Sequence, residues 1–393
     1  NDTPPFSSRR ETDTRDMLRL SRVAAHLRPL CASRRAASTV ASDDVLFEEQ
    51  KNGRNILVTL NRPKALNALD ASMVAKLTPQ YKKWLPISGA RRVIVMKGAG
   101  EKAFCAGGDI KAIYDAKKDG KSPKECCTFF NNEYELNQII GTLPSHLVQV
   151  AILNGITMGG GVGLSVHGLF RVATDNTMFA MPETAIGFFC DVGGSYFLPR
   201  LPHPALGTYL ALTGARLKGP EVAIAGVATH YVPSSNLENL ERDLLAAKID
   251  EVPEILGRYS SPLKPGQLTR DRLNAIQRCF QHDSVEDIIK ALEEDEDKEW
   301  ATQTLKLLSR MSPTSLKVVH QQMKEGGQRS FTECFKMEAV MAERFMERPD
   351  FFEGVRALLV DKDKSPKWSP ASLAEVRENN TNNENKRVHR PPD

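Results

Sequence analysis

The sequence predicts an α/β fold in which helices cover the strands, followed by a separate helical region toward the C-terminus. Three observations carry that expectation. Two apolar runs bounded by turn residues, ARRVIVMKG (90–98) and HLVQVAIL (146–153), read as buried strands. Strand, Gly-rich loop and helix then follow one another twice, about 50 residues apart, an alternation that suits helices packed on sheets. Past residue 215 the strand signals give way to helical patterning.

At 393 residues, 41% hydrophobic and 26% charged, the chain can bury a large core plus a second lobe and has the composition of a soluble globular enzyme. No run approaches the roughly 18 uninterrupted apolar residues that a membrane-spanning helix needs. The formal charge of +4 resides wholly in residues 1–40, where eight arginines face four acids, so residues 41–393 are neutral. A neutral body sets up no broad phosphate-attracting field, and neither nucleic acid nor membrane is an expected partner.

Residues 1–42 are read as an extension outside the fold. From Met17 the chain runs MLRLSRVAAHLRPLCASRRAASTV, with five arginines, no acid, and Leu, Val and Ala at helical spacing. That is the composition of a mitochondrial transit peptide, which places the mature protein in the mitochondrial matrix; a disordered basic tail is the alternative. Residues 1–16 carry acids and no Met, and are expected to stand outside the targeting signal.

Residues 43–215 are expected to form the core. VLFEEQ (45–50) and NILVTL (55–60), joined through Lys51, Asn52, Gly53 and Arg54, alternate as the strands of a β-hairpin do. Residues 68–85 have the spacing of an amphipathic helix. The strand at 90–98 leads through AGEKAFCAGGD (99–109) to a helix from Ile110 and another over about 128–142. The strand at 146–153 leads through NGITMGG (154–160) to a helix from about Gly161. Residues 216–377 read as helical, with polar connections around 257–270. There EEDEDKE (293–299) reads as a solvated helix face and FTECFKMEAVMAERFM (331–346) as an amphipathic helix. Residues 378–393, polar and ending in Pro-Pro-Asp, are expected to be a disordered tail.

Seven cysteines at irregular spacing without Cys-x-x-Cys read as free thiols in a reducing compartment, and the eight histidines are scattered without His-Glu-x-x-His. No metal site and no cofactor are expected.

The chemistry lies in the two Gly-rich loops and the segment after them. Gly107 and Gly108, like Gly159, Gly160 and Gly161, stand between a buried strand and a helix start. Glycine lets a ligand approach the backbone, and a helix N-terminus leaves N–H groups unpaired. Two such groups converging on one oxygen would make an oxyanion hole. A phosphate cradle is the competing reading, but Gly-Lys-Ser/Thr and Gly-x-Gly-x-x-Gly with a ribose-binding acid are both missing. Taken alone, each loop is equally compatible with a tight turn. In FAMPETAIGFFCDVGGSYFLPRL (179–201), Glu183 and Asp191 stand among apolar residues. Carboxylates are costly to bury there unless paired or employed, and burial raises a pKa toward that of a useful acid or base. Spacing leaves equally open that Glu183 caps the turn after Pro182 and that Asp191 starts a turn before Gly193.

Together, LNRPKALNALD, FCAGGDIKAI, NGITMGGGVGLSVHG and MPETAIGFFCDVGGSYFLPRL resemble the crotonase (enoyl-CoA hydratase/isomerase) superfamily, and within it the 3-hydroxyisobutyryl-CoA hydrolase branch. The likeness runs from about Val45 to Trp368 and takes in LTGARLKGPEVAIAGVATHYV, MSPTSLK and DFFEGVRALLVDKDKSPKW. It implies a crotonase-type spiral of repeated ββα units with a helical C-terminal region, a homo-oligomer being common. It also implies hydrolysis of a short branched β-hydroxyacyl-CoA, as in valine catabolism, with CoA as part of the substrate. By position, the Gly108 and Gly160 N–H groups would form the oxyanion hole, Glu133 would contact the substrate, and Glu183 and Asp191 would be the acid/base pair. Lys64, Ala65 and Leu66, with Gly107, Asp109 and Ile110, would line the CoA tail.

Two departures stand out: Cys190 where the branch usually has Pro, and Ser195 where it has Gly. Cys190 as a nucleophile lacks a His placed to activate it. Within the superfamily, hydratases and dienoyl isomerases carry a second acid at the position that here is Gly163. Losing such a group costs on the order of 10²–10⁴ in rate, which favours acyl transfer. A monofunctional isomerase using Glu183 alone, or a non-catalytic CoA-binding member, remains the alternative. Whether Glu183 attacks the carbonyl or activates water stays open.

Overall fold

A computed structural model describes residues 43–50, 55–86 and 91–376. The expected transit peptide, hairpin turn and C-terminal tail lie outside these residues.

Among the described residues, ten strands form two sheets. They are β1 (Val45–Glu49), β2 (Ile56–Leu60), β3 (Arg92–Gly98), β4 (Ala103–Cys105), β5 (Leu147–Leu153), β6 (Ile156–Met158), β7 (Phe170–Ala173), β8 (Met178–Ala180), β9 (Leu217–Lys218) and β10 (His230–Tyr231). The larger sheet has the order β1-β2-β3-β5-β7-β10 and the smaller the order β4-β6-β8-β9. In each of the pairs β3/β4, β5/β6 and β7/β8 the first strand joins the larger sheet and the second the smaller. The chain therefore winds as a spiral of two-strand turns closed by helices, which is the crotonase architecture. β1 pairs with β2 antiparallel, as the hairpin expectation requires, whereas β2, β3, β5 and β7 run parallel.

The apolar runs are continuous because both faces of the larger sheet are covered. On β5, Val148, Val150 and Ile152 pack against helices α8 (Leu237–Ala246) and α9 (Val252–Tyr259). The alternate Leu147, Ala151 and Leu153 pack toward α1 (Ala71–Trp84) and α3 (Pro123–Gly141). Each such Val or Leu stabilises the fold by about 1.5–3 kcal/mol. Gln149, buried in the middle of β5, accepts from the Tyr81 hydroxyl at 2.6 Å and donates to the Leu164 carbonyl at 2.8 Å.

α1 starts where the Asp70 carboxylate accepts from the Met73 amide at 2.8 Å. α2 covers Ile110–Lys118. α3 begins several residues before the expected position, because Ser122 and Glu125 form a capping box ahead of Pro123. α4 (Gly160–Gly163), α5 (Gly194–Phe197), α6 (Leu206–Thr213) and α7 (Glu221–Ile224) are short. The helical region continues through α10 (Arg270–Phe280), α11 (Val285–Glu294), α12 (Lys298–Leu308), α13 (Pro313–Gly326), α14 (Phe331–Met346) and α15 (Pro349–Val355). None of the described helices is long and apolar enough to cross a membrane.

The acidic stretch at 293–299 is solvated as expected at six of its seven residues, but it does not form one helix face. α11 ends at Glu294 and α12 begins at Lys298, and in the break between them Asp295 is buried, accepting from Arg278 at 2.9 Å and from the Asp297 amide at 3.0 Å. Asp297 then caps α12 through the Trp300 amide at 3.1 Å. Asp and Glu compete for backbone donors, so this cluster ends one helix and starts the next.

Candidate active site

The parallel strands β4, β6 and β8 lie side by side, and each delivers one part of the site just past its C-terminal end. Gly107 and Gly108 follow β4, Gly159 and Gly160 follow β6, and Glu183 follows β8 after Met181 and Pro182. Ligand sites form at the carboxyl ends of parallel strands for this reason. A side chain on Gly160 would place its first carbon 3.2 Å from the Gly108 amide nitrogen, so the two peptide groups face one space. The same carbon on Gly159 would meet Glu183 Oε1 at 3.1 Å and Gly107 Cα at 3.7 Å.

Both amides are free to act. Around Gly108 the Leu69 amide donates to Gly107 O and the Asp109 amide to Leu69 O, each at 2.8 Å, so the N–H of Gly108 points the other way. Gly160 is the first residue of α4, whose N–H has no acceptor within the helix. The loop carrying Lys64, Ala65 and Leu66 is moored to the first glycine pair: the Ala106 amide donates to Leu66 O at 3.1 Å. Buried Asn67 donates to the Ala99 and Ala103 carbonyls at 3.0 and 2.8 Å. The Asp109 carboxylate is held by Arg62 at 3.3 Å, and Ile110 opens α2.

Three carboxyl groups meet here, from three parts of the chain. Glu183, Asp191 and Glu133 are each at most 5% exposed. Glu183 opens a 3-10 turn but its side chain caps nothing, and its Oε2 is buried without a partner. Its turn is fixed by Thr184, whose hydroxyl donates to Leu212 O at 3.2 Å and whose carbonyl accepts from the Ser312 amide at 3.1 Å. Asp191 starts a turn through its carbonyl, which accepts from the Gly194 amide at 2.8 Å, while its Oδ2 accepts from the Tyr134 hydroxyl at 2.9 Å. Val192 next to it has φ 52, a left-handed conformation that costs a β-branched residue about 1–3 kcal/mol and is found where surrounding structure enforces it. Glu133 comes from α3, and its Oε1 lies against Gly160 Cα without a hydrogen-bond partner.

Burial, with Asp191 and Glu183 adding their charges, pushes the Glu133 carboxyl well above the usual glutamate range. Burial and then Asp191 do the same for Glu183, offset by its own backbone amide and the Cys190 thiol. Burial lifts Asp191 to about 7 against the pull of the Tyr134 hydroxyl. Cys190 is fully buried, and burial beside Glu183 and Asp191 keeps its thiol protonated, so it makes a poor nucleophile.

These shifts predict a stability cost. The folded protein holds protons that the unfolded chain releases near pH 4, so stability falls as pH climbs beyond that point toward the raised pKa values. Glu133→Gln removes one such group. It should stabilise the ligand-free protein at pH 8 by on the order of 1–2 kcal/mol and barely at pH 5, as read by urea unfolding at the two pH values. An equal effect at both would show that Glu133 is not held protonated.

The space beside Gly163 is already full. A first side-chain carbon there would lie 2.7 Å from both Asn137 Oδ1 and Val192 Cβ. The site therefore has no room for a second acid at that point without displacing its neighbours.

Sequence reasoning missed Tyr134 and Asn137, which share α3 with Glu133, and it missed Glu338 on α14. The last left a signal: Cys334, Met341, Ala342 and Phe345 share its buried helix face, where an acid is out of place.

The enoyl-CoA hydratase/isomerase family model matches residues 56–384. The chain is 52% identical to the mitochondrial 3-hydroxyisobutyryl-CoA hydrolase of Dictyostelium discoideum, over 86% of this chain and 90% of that one. It is 47% identical to the Homo sapiens protein of the same name, over 89% and 90%. Among solved structures, a carnitinyl-CoA dehydratase from Mycobacterium thermoresistibile is similar with a TM-score of 0.79 and 38% identity, over 87% of this chain and 96% of that one.

Proposed function

The chain belongs to the enoyl-CoA hydratase/isomerase family, and on that premise we propose that it hydrolyses 3-hydroxyisobutyryl-CoA to 3-hydroxyisobutyrate and CoA. The observation that carries the choice within the family is Gly163, where Asn137 and Val192 fill the place of a second acid. With that place filled, no acid at position 163 joins Glu183 in holding water for addition to a double bond. The names of the relatives at 52% and 47% identity agree with a hydrolase.

In the reaction, the Gly108 and Gly160 amides receive the thioester carbonyl oxygen and hold it as it becomes an oxyanion. Glu183 attacks the carbonyl carbon to give an acyl anhydride, or it draws the proton from an attacking water. The C–S bond breaks, CoA leaves as the thiol, and water supplies the new acid oxygen. Asp191 and Glu133 orient water and the substrate hydroxyl, and the chemistry needs no cofactor. Lys64, Ala65, Leu66, Gly107, Asp109 and Ile110 lie along the path assigned to the CoA tail. The basic, acid-free segment from Met17 suits import and supports a mitochondrial matrix location for this activity.

The test is CoA release, followed with a thiol reagent across acyl groups. β-Hydroxyacyl thioesters should be hydrolysed faster than crotonyl-CoA is hydrated, by at least about 10². A crotonyl-CoA hydration rate equal to the rate of CoA release would overturn the assignment.

A further inference from the structure

The segment Cys190–Ser195 is held by more than its own turn, in which the Gly194 amide donates to Asp191 O at 2.8 Å. Val192 is left-handed with φ 52, a conformation that a β-branched residue would leave if free to do so, whereas Gly193 accepts its φ of 82 without strain. Side chains from three separate places grip its peptide groups. Gln322 of α13 donates through Nε2 to the Cys190 carbonyl at 2.6 Å. His167, just past α4, bonds through Nε2 to the Val192 carbonyl at 2.7 Å, which fixes that nitrogen as the protonated one. Glu338 of α14 accepts from the Gly193 amide at 2.7 Å, from the Ser195 amide at 3.0 Å, and from the Ser195 hydroxyl.

The grip is built at a cost. Glu338 is fully buried, and among the described residues no Lys, Arg or His side chain is paired with it. Gln322 is fully buried too, and its Oε1 has no partner, so the side chain engages the protein through its Nε2 donation to Cys190 O. The His167 ring sits among Phe197, Phe331 and Phe335, and Gly193 has no side chain to push it away. Ser195, the departure from Gly noted in the sequence, supplies the hydroxyl that Glu338 takes up. Such an arrangement would be wasteful for a plain turn. It makes sense where one carboxylate inside the segment must be aimed.

We propose that Glu338, His167 and Gln322 are positioning residues that hold the backbone of Cys190–Ser195 so that Asp191 meets the substrate hydroxyl. This rests on Asp191 acting as described above. The helical region past residue 215 thus takes part in the reaction, supplying two of the three contacts from α13 and α14.

The test is a double-mutant cycle on CoA release. Glu338→Gln keeps the shape but replaces one acceptor oxygen with a donor facing a backbone amide. It should lower kcat/KM for a β-hydroxyacyl-CoA roughly ten- to a hundredfold and that for the same acyl chain without the hydroxyl less than about threefold, and Glu338→Asp should restore part of the loss. In the Asp191→Asn background the same change should cost less than about threefold. Gln322→Leu should lower kcat/KM as well while leaving the unfolding midpoint within a few degrees, which keeps the test readable if Glu338→Gln fails to fold. A second readout is independent of hydrolysis: affinity for a non-hydrolysable β-hydroxyacyl thioether of CoA should fall toward that of its deoxy counterpart in both variants. Equal losses with and without Asp191, or unchanged kcat/KM and unchanged selectivity in both variants, would overturn the inference. Inactivity of the wild type on every thioester, with the binding selectivity intact, would instead overturn the hydrolase assignment alone.

Discussion

Glu183→Gln lowers kcat for thioester hydrolysis by at least about 10²–10³ and leaves the fold intact. Glutamine fills the same volume but can neither attack the carbonyl nor accept a proton from water. The fold survives because nothing structural leans on the charge. Oε2 of Glu183 has no partner, and its turn is tied down through the Thr184 hydroxyl and the Ser312 amide rather than through the carboxylate. Burial and Asp191 already oppose ionisation of Glu183, so the neutral replacement relieves the ligand-free protein near neutral pH. Circular dichroism and steady-state CoA release measure the two halves of this expectation. Near wild-type turnover in a folded variant would place the chemistry elsewhere. Single-turnover hydrolysis in ¹⁸O water adds a distinction: label in the Glu183 carboxyl means that an anhydride formed and that water attacked its glutamyl carbon.

Asp191→Asn has the next largest effect, and its signature is selectivity. Asn keeps an oxygen for the Tyr134 hydroxyl, so the local hydrogen bond survives, while the negative oxygen offered to a substrate hydroxyl is lost. Turnover of a β-hydroxyacyl-CoA should fall on the order of 10²-fold, and that of the same acyl chain without the hydroxyl about tenfold less steeply. The pH profile supplies a check with a definite sign. Burial raises Asp191 to about 7, so its ionised form accumulates as pH rises through that value. Wild-type kcat/KM should climb across neutral pH, and the component set by Asp191 should vanish in the variant. An unchanged profile together with unchanged selectivity would remove Asp191 from the mechanism.

The alternation of strand, Gly-rich loop and helix and the amphipathic helices at 71–84 and 331–346 were legible in the sequence, because periodicity and turn chemistry are local. So were the residues after the glycine loops. Gly108, Gly160, Glu183 and Asp191 stand out as glycines at helix starts and acids in apolar surroundings, and the family likeness joined them into one set. The sequence by itself therefore determined the repeated ββα plan and the kinds of group the site would hold. At 293–299 local acidity correctly indicated solvated residues but missed Asp295, whose burial was decided by Arg278 and the Asp297 amide.

Only the tertiary structure decided how these parts meet. β4, β6 and β8 are far apart in the chain and become neighbours through parallel pairing, which brings Gly108, Gly160 and Glu183 to one end of a small sheet. Glu133 and Tyr134 reach that end from α3, and Glu338 and Gln322 approach Cys190–Ser195 from more than 120 residues further on. Such contacts depend on which faces pack together, and no local pattern encodes that. An acid on the apolar face of α14 reads as an anomaly until the amides of Gly193 and Ser195 are placed against it, because burial of a carboxyl group is tolerable only when its hydrogen-bond partners are present.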